Sequence, residues 1–182
     1  MLKKIVILGP ESTGKTTLCA ALANHFGTTW VPEYAREHLT EQGSAYTEED
    51  LLVIAQKQIE QEDQLIQQWQ QEKKESISRQ PIFVDTDLYV MKVWSEFVFN
   101  SCHPFILNGI VHRPYDMYLL CKPDLPWEKD ALREYPDQIT RDRLYHHYKD
   151  ALMNQAYPWK EIGGLNGQRL EQAVEAVHTL FK

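Results

Sequence analysis

The sequence offers no pair of cysteines spaced for metal or disulfide chemistry: Cys19, Cys102 and Cys121 lie far apart, with no C-x-x-C. That excludes a zinc ribbon and a disulfide framework and fits reduced thiols. Basic charge is also short. Against 26 acidic residues stand 19 Lys and Arg, giving a formal net charge of -7, which argues against a grip on duplex DNA, so no nucleic-acid partner is expected. No apolar run is long enough to cross a bilayer, and MLKK leads straight into a short run too small for a signal-peptide core, so no membrane partner and a cytoplasmic location are expected. His103, His112, His146 and His147 lack metal-ligand spacing. Repeats and linkers are absent too, and 182 residues with 43% hydrophobic content are expected to bury a sizeable core as one domain spanning 1–182.

What is present begins with KKIVILGPESTGKTTLCAAL. Ile5 to Leu8 form a continuous apolar run bounded by Gly9 and Pro10, as in a parallel strand covered on both faces. From Lys15 onward, Leu18, Ala21 and Leu22 recur at helical spacing. The loop between them fits G-x-x-x-x-G-K-[ST] through Gly9, Gly14, Lys15 and Thr16. Glycines let the backbone wrap so that successive N–H groups face a phosphate, helped by the positive end of the next helix. The whole loop, Gly9 through Glu11, Ser12, Thr13, Gly14, Lys15, Thr16 and Thr17, is therefore expected to bind ATP. Lys15 reaches the terminal phosphates in this reading, and the Thr16 hydroxyl shares Mg2+ with them.

Downstream, TTWVPE (Thr28 to Glu33) reads as a short second strand, Tyr34 to Gln42 as a helix closed by Gly43, and Thr47 as the cap of a long helix. Leu52, Ala55, Ile59, Ile66 and Trp69 mark its apolar stripe, and KKES (Lys73 to Ser76) with Arg79 ends it. A third strand over Pro81 to Asp87 precedes a helix over Leu88 to Phe99. An irregular stretch follows, containing His103, Pro104, Asn108, Gly109 and Pro114, then a fourth strand over Tyr115 to Lys122. Pro123 to Arg143 is rich in proline and charge and reads as an exposed, mobile lid. A helix over Ile139 to Asn154, a fifth strand over Trp159 to Ile162 and a last helix capped by Asn166 complete the chain. The fold expected is α/β: a P-loop NTPase with a five-stranded parallel sheet, helices on both faces and a lid, in the manner of nucleoside and adenylate kinases.

Ligands in such sheets gather at the carboxyl ends of the strands. Asp85 ends an apolar strand there, suited to hold Mg2+ or to accept a proton from an acceptor hydroxyl, or simply to cap a helix. Asp87, two residues on, could hold a substrate hydroxyl or act as a cap. Glu33 is the second candidate base, and Arg36, beside Tyr34, could pair with substrate or with a neighbouring carboxylate. Arg133, Arg141 and Arg143 lie where lid cations would fold over phosphates. Trp30, Trp94 and Trp127 suit core anchors, though one of them could stack on a flat cationic or aromatic base.

ILGPESTGKTTL, VPEYARE, IFVDTD, HPFI and YDMYLLCKPDLPWEKDALRE occur in an order that resembles the ribosylnicotinamide kinase domain of bacterial NadR-like proteins, a P-loop kinase with an AAA_28-type ATP-binding domain. The likeness covers nearly the whole chain and is weakest after Arg143 and in the glutamine-rich helix. It implies ATP-dependent phosphorylation of the 5′-hydroxyl of nicotinamide riboside to nicotinamide mononucleotide, in NAD salvage. It also implies that Asp85 and Asp87 hold the ribose side, that Glu33, Tyr34 and Arg36 face substrate, and that Trp127 to Arg133 belong to the lid; Trp94 is added as a substrate-facing candidate from its own residue type. The adenylyltransferase and DNA-binding parts of the family are not expected in these residues. The helix YVMKVW departs from the family pattern. A kinase of another nucleoside or small metabolite is the alternative, and a non-catalytic NTP-binding switch a further one.

Overall fold

The computed structural model of the protein describes residues 2–43, 45–72, 80–165 and 167–181. Three strands form where the chain is apolar without alternation: β1 (Lys3–Leu8), β3 (Pro81–Asp85) and β4 (Met117–Cys121). Two shorter strands flank them, β2 (Trp30–Val31) and β5 (Trp159–Ile162), in the order β2-β3-β1-β4-β5 with every pairing parallel. Successive side chains of β1 face opposite ways, so Val6 and Leu8 enter one core and Ile5 and Ile7 the other. The second core is covered by α1 (Lys15–Phe26) and α7 (Gln168–Thr179). The first is covered by α3 (Glu48–Glu72), α4 (Leu88–Phe99) and α6 (Gln138–Met153).

Two helices complete the layer on that side. α2 (Tyr34–Gln42) follows β2 directly, and α5 (Pro104–His112) lies in the stretch expected to be irregular. Pro104 starts this helix rather than breaking it, because a first-turn residue needs no N–H partner, and His103 caps it by accepting from the Phe105 N–H. β2 is two residues long instead of six because α2 begins at Tyr34. β4 is shorter than expected at both ends. Its Tyr115 neighbour sends its hydroxyl to Glu62, and Asp116 accepts from Lys3 and from the Lys4 amide. The lid expected over Pro123 to Arg143 is an irregular strap over 122–137, since α6 already begins at Gln138. The expected helix end at 73–79 and the Asn166 cap lie outside the described residues; α7 takes Gly167, in a left-handed conformation, as its cap.

β1 is central, with β3 on one side and β4 on the other. The chain first visits the β3 side and then crosses to the β4 side, so the carboxyl end of β1 is a topological switch point. No helix among the described residues is long and apolar enough to cross a membrane.

Candidate functional site

The loop after β1 is shaped by close approach. A Cβ on Gly9 would stand 2.6 Å from the carbonyl oxygen of Cys121 on β4, so only glycine fits. Ser12 and Gly14 adopt left-handed conformations, with φ of 56° and 74°. Thr13 Oγ1 and Lys15 Nζ both donate to the Pro10 carbonyl, at 2.8 and 3.0 Å. Gly14 begins α1 without any side-chain cap, which leaves the first amides of that helix for an anion. Behind the loop, the buried Arg169 guanidinium donates to the carbonyls of Thr13, Lys122 and Gly164 and pairs with Asp124. Because a trans peptide sets C=O and N–H on opposite sides, fixing the Thr13 carbonyl toward Arg169 turns the Gly14 N–H the other way.

The end of β3 supplies the second feature. Thr86 adopts φ 69° and donates its amide to the Ile7 carbonyl, which sets Asp85 beside the loop. Asp85 is fully buried and accepts from Thr16 Oγ1 at 2.5 Å, while its Oδ1 has no hydrogen-bond partner. Burial, with the charge of Glu33 next, pushes its carboxyl up to about 6, although Lys15 and the Thr16 hydrogen bond pull the other way. A hydroxyl against a half-used carboxylate suits a hard divalent cation that keeps waters and phosphate oxygens as its remaining ligands. Among the described residues no cluster of three or more His, Cys, Asp or Glu could hold a metal unaided.

Toward the β3 side the loop opens into a cavity of about 200 Å³. Glu33, at the start of α2, lines it without a capping hydrogen bond, and its charge acts on Asp85 and Tyr148. Its position is set by a residue the sequence did not single out: buried Gln58 of α3 accepts from the Tyr34 amide at 2.7 Å and donates to the Pro32 carbonyl at 3.2 Å. Trp94 and Phe97 of α4 and Leu144 and Tyr148 of α6 form the walls. Only Trp94 of these was expected; the others fall on apolar helix stripes that look the same whether they face a core or a ligand.

The strap roofs this cavity with Leu132, Arg133, Glu134 and Tyr135. Arg133 donates to the Glu128 carbonyl at 2.6 Å, and Arg36, at the cavity edge, pairs with Asp130 of the strap at 3.1 Å. Trp94 Nε1 donates to Tyr46, whose hydroxyl donates to Glu134.

Other expected residues lie outside the lining. Tyr34 packs against the first core. Asp87 is buried and caps α4 by accepting from the Tyr89 amide at 3.1 Å, and burial pushes its carboxyl up to about 7. Arg141 is buried in the first turns of α6, bonded to Gln138 and the Leu125 carbonyl, and the Arg143 guanidinium sits 5.6 Å from the Phe97 ring centre. Trp30 packs on the second core. Trp127 belongs to the strap and donates to Glu11, whose carboxylate thus faces the strap.

Residues 4–169 match the family model AAA_28, described as an AAA domain. The chain is 27% identical over 145 residues to the trifunctional NAD biosynthesis/regulator protein NadR of Salmonella typhimurium, across 76% of this chain and 33% of that protein. It thus spans about a third of the length of this curated relative. In structure it resembles a NadR protein crystallised in complex with NR, with TM-score 0.78 and 20% identity over 98% of this chain and 50% of the other. Thymidylate kinase from Ehrlichia chaffeensis shares the fold at TM-score 0.63 and 14% identity, over 100% of this chain and 99% of its own.

Proposed function

The chain belongs to the AAA_28 family of AAA domains, and from that premise we propose that it is an ATP-dependent small-molecule kinase that phosphorylates the 5′-hydroxyl of nicotinamide riboside to give nicotinamide mononucleotide. The observation that carries the reading is the cavity that the phosphate loop shares with Glu33 and with Trp94, Phe97 and Tyr148. A flat cationic ring is favoured there by the aromatic side chains of Trp94 and Tyr148 and by the nearby negative charge. The NadR relative and the NR-bound NadR structure support the choice of acceptor.

In this reaction ATP lays its phosphates on the loop, and Lys15 leaves the Pro10 carbonyl for their oxygens. Thr16 and Asp85 would hold Mg2+, which supplies charge neutralisation on the phosphates when bound. Glu33 accepts the proton of the acceptor hydroxyl as its oxygen forms a bond to the γ-phosphorus. The bond from that phosphorus to the β,γ-bridging oxygen breaks, and ADP leaves with the electron pair. Arg133 and Arg36, at the roof and edge, balance charge on the group in flight. Asp85 is assigned to the cation rather than to the proton because it is fully buried and bonded to Thr16.

The test is ADP formation from ATP and Mg2+ with nicotinamide riboside, beside a panel of nucleosides and a control without acceptor. Turnover dependent on nicotinamide riboside is expected. Turnover with a different nucleoside alone would move the acceptor assignment, and acceptor-independent ADP release would contradict the kinase reading.

A further inference from the structure

The third residue of the phosphate loop carries a carboxylate that is used on the strap. Glu11 Oε1 accepts from Trp127 Nε1 and from the Tyr135 amide, both at 2.9 Å, and Oε2 accepts from the Glu134 amide at 2.8 Å. Its neighbour Ser12 adds two more ties, accepting from the Glu128 amide at 3.1 Å and donating to the Pro126 carbonyl at 3.4 Å. Three N–H donors from two separate parts of the strap therefore converge on one side chain. Such a concave set of donors is an anion site, and here the protein's own carboxylate fills it.

The residues held this way are those that roof the cavity. Glu134 accepts from Tyr46, which in turn accepts from Trp94, and the Tyr135 ring meets Phe97 edge to face at 5.6 Å between centres. A chain of contacts thus runs from Glu11 through the roof to two of the cavity walls.

We propose that Glu11 is a positioning residue for the acceptor site: it latches the strap over the acceptor cavity, so that a residue of the nucleotide loop sets affinity for the second substrate. The proposal rests on the assignment of this cavity to the acceptor. It follows that the roof is in place before ATP binds, because the donors that hold it are satisfied by a protein carboxylate rather than by a phosphate. A glutamine at this position keeps the size but loses the charge, and its amide N–H group meets strap donors instead of accepting from them.

The experiment compares the full chain with Glu11→Gln and Trp127→Phe. In Glu11→Gln the nicotinamide riboside KM should rise about ten- to a hundredfold, as expected for losing several charge-assisted hydrogen bonds, while the ATP KM moves less than about threefold. Trp127→Phe should shift the acceptor KM in the same direction by less, and adding it to Glu11→Gln should change little further, since both remove one latch. Hydrogen exchange without ligands should show peptides over 127–135 protected in the parent chain and fast in Glu11→Gln, with Lys3–Leu8 equally protected in both. A rise confined to the ATP KM, or strap exchange unchanged by the substitution, would overturn the proposal. The exchange comparison does not depend on which acceptor is used, so failure of nicotinamide riboside as substrate would count against the acceptor assignment and not against the latch.

Discussion

The Thr16 hydroxyl donates to one oxygen of Asp85 at 2.5 Å, and the other oxygen of that buried carboxylate has no hydrogen-bond partner. This joins the loop after β1 to the end of β3 and leaves a half-used acid beside the expected phosphates. If that acid serves the cation, Asp85→Asn should lower kcat by about a hundredfold or more while nucleotide still binds in the absence of Mg2+. Isothermal titration with and without Mg2+, set beside turnover, checks it; equal nucleotide affinity with and without Mg2+ in the parent chain would refute the role.

Lys15 is free to exchange the Pro10 carbonyl for a phosphate, since among the described residues it donates to a backbone oxygen of the same loop and to no side chain. Lys15→Ala is expected to cost about a thousandfold in turnover, in line with loss of a cation on the transferring group. Near-normal turnover in this variant would remove the loop from the reaction.

Asp87 gives a pH prediction whose sign follows from its burial. An ordinary aspartate titrates near 3.9, whereas this carboxyl is pushed up to about 7, first by burial and also by the charge of Glu62 nearby. Glu62 is itself met by Lys4, Arg113 and Tyr115. The folded chain therefore binds this proton more tightly than the unfolded chain, and stability falls as pH rises from about 4 to about 7. Asparagine caps a helix as well as aspartate but cannot ionise. Asp87→Asn should flatten that fall, with a gain on the order of 4 kcal/mol at pH 8 in urea unfolding. Asp85 has the same sign of shift, so some slope should remain. Parallel curves for the two proteins would mean that Asp87 is ionised in the fold.

Arg169 should matter to stability and to the loop together. Its guanidinium meets three backbone carbonyls and Asp124. Arg169→Met leaves those acceptors unmet, but Asp124 is partly open to solvent, which reduces the cost to about 2–3 kcal/mol. A drop in Tm of roughly 5–10 °C follows for a chain of this size. ATP should also protect the variant less than the parent, because the Thr13–Gly14 peptide is no longer held. An unchanged Tm would show that the guanidinium contributes nothing net.

How far the sequence reached is visible in single residues. Gly9, Gly14 and the apolar strands were legible because a tight loop and a doubly covered strand each demand particular residue types. Pro104 misled, since proline marks a helix start as well as a break. The same ambiguity hid Gln58: it shares the buried face of α3 with Leu51, Ala55 and Glu62, and a polar residue on an apolar stripe was the signal that could have revealed it. Phe97 and Tyr148 gave no sign of facing a cavity, because periodicity reports a buried face and not what covers it. The strap carries the largest gap. Its contacts with Glu11 span more than a hundred residues of chain, and no local pattern encodes them.

Phosphoryl transfer to the acceptor is read most directly from the fate of the phosphoryl group itself. ATP labelled with 18O in the γ-phosphoryl oxygens would be incubated with Mg2+, the protein and nicotinamide riboside, and the products weighed by mass spectrometry. The label is expected in nicotinamide mononucleotide, with ADP formed in equal amount. Label recovered only in inorganic phosphate, with the riboside unchanged, would contradict it.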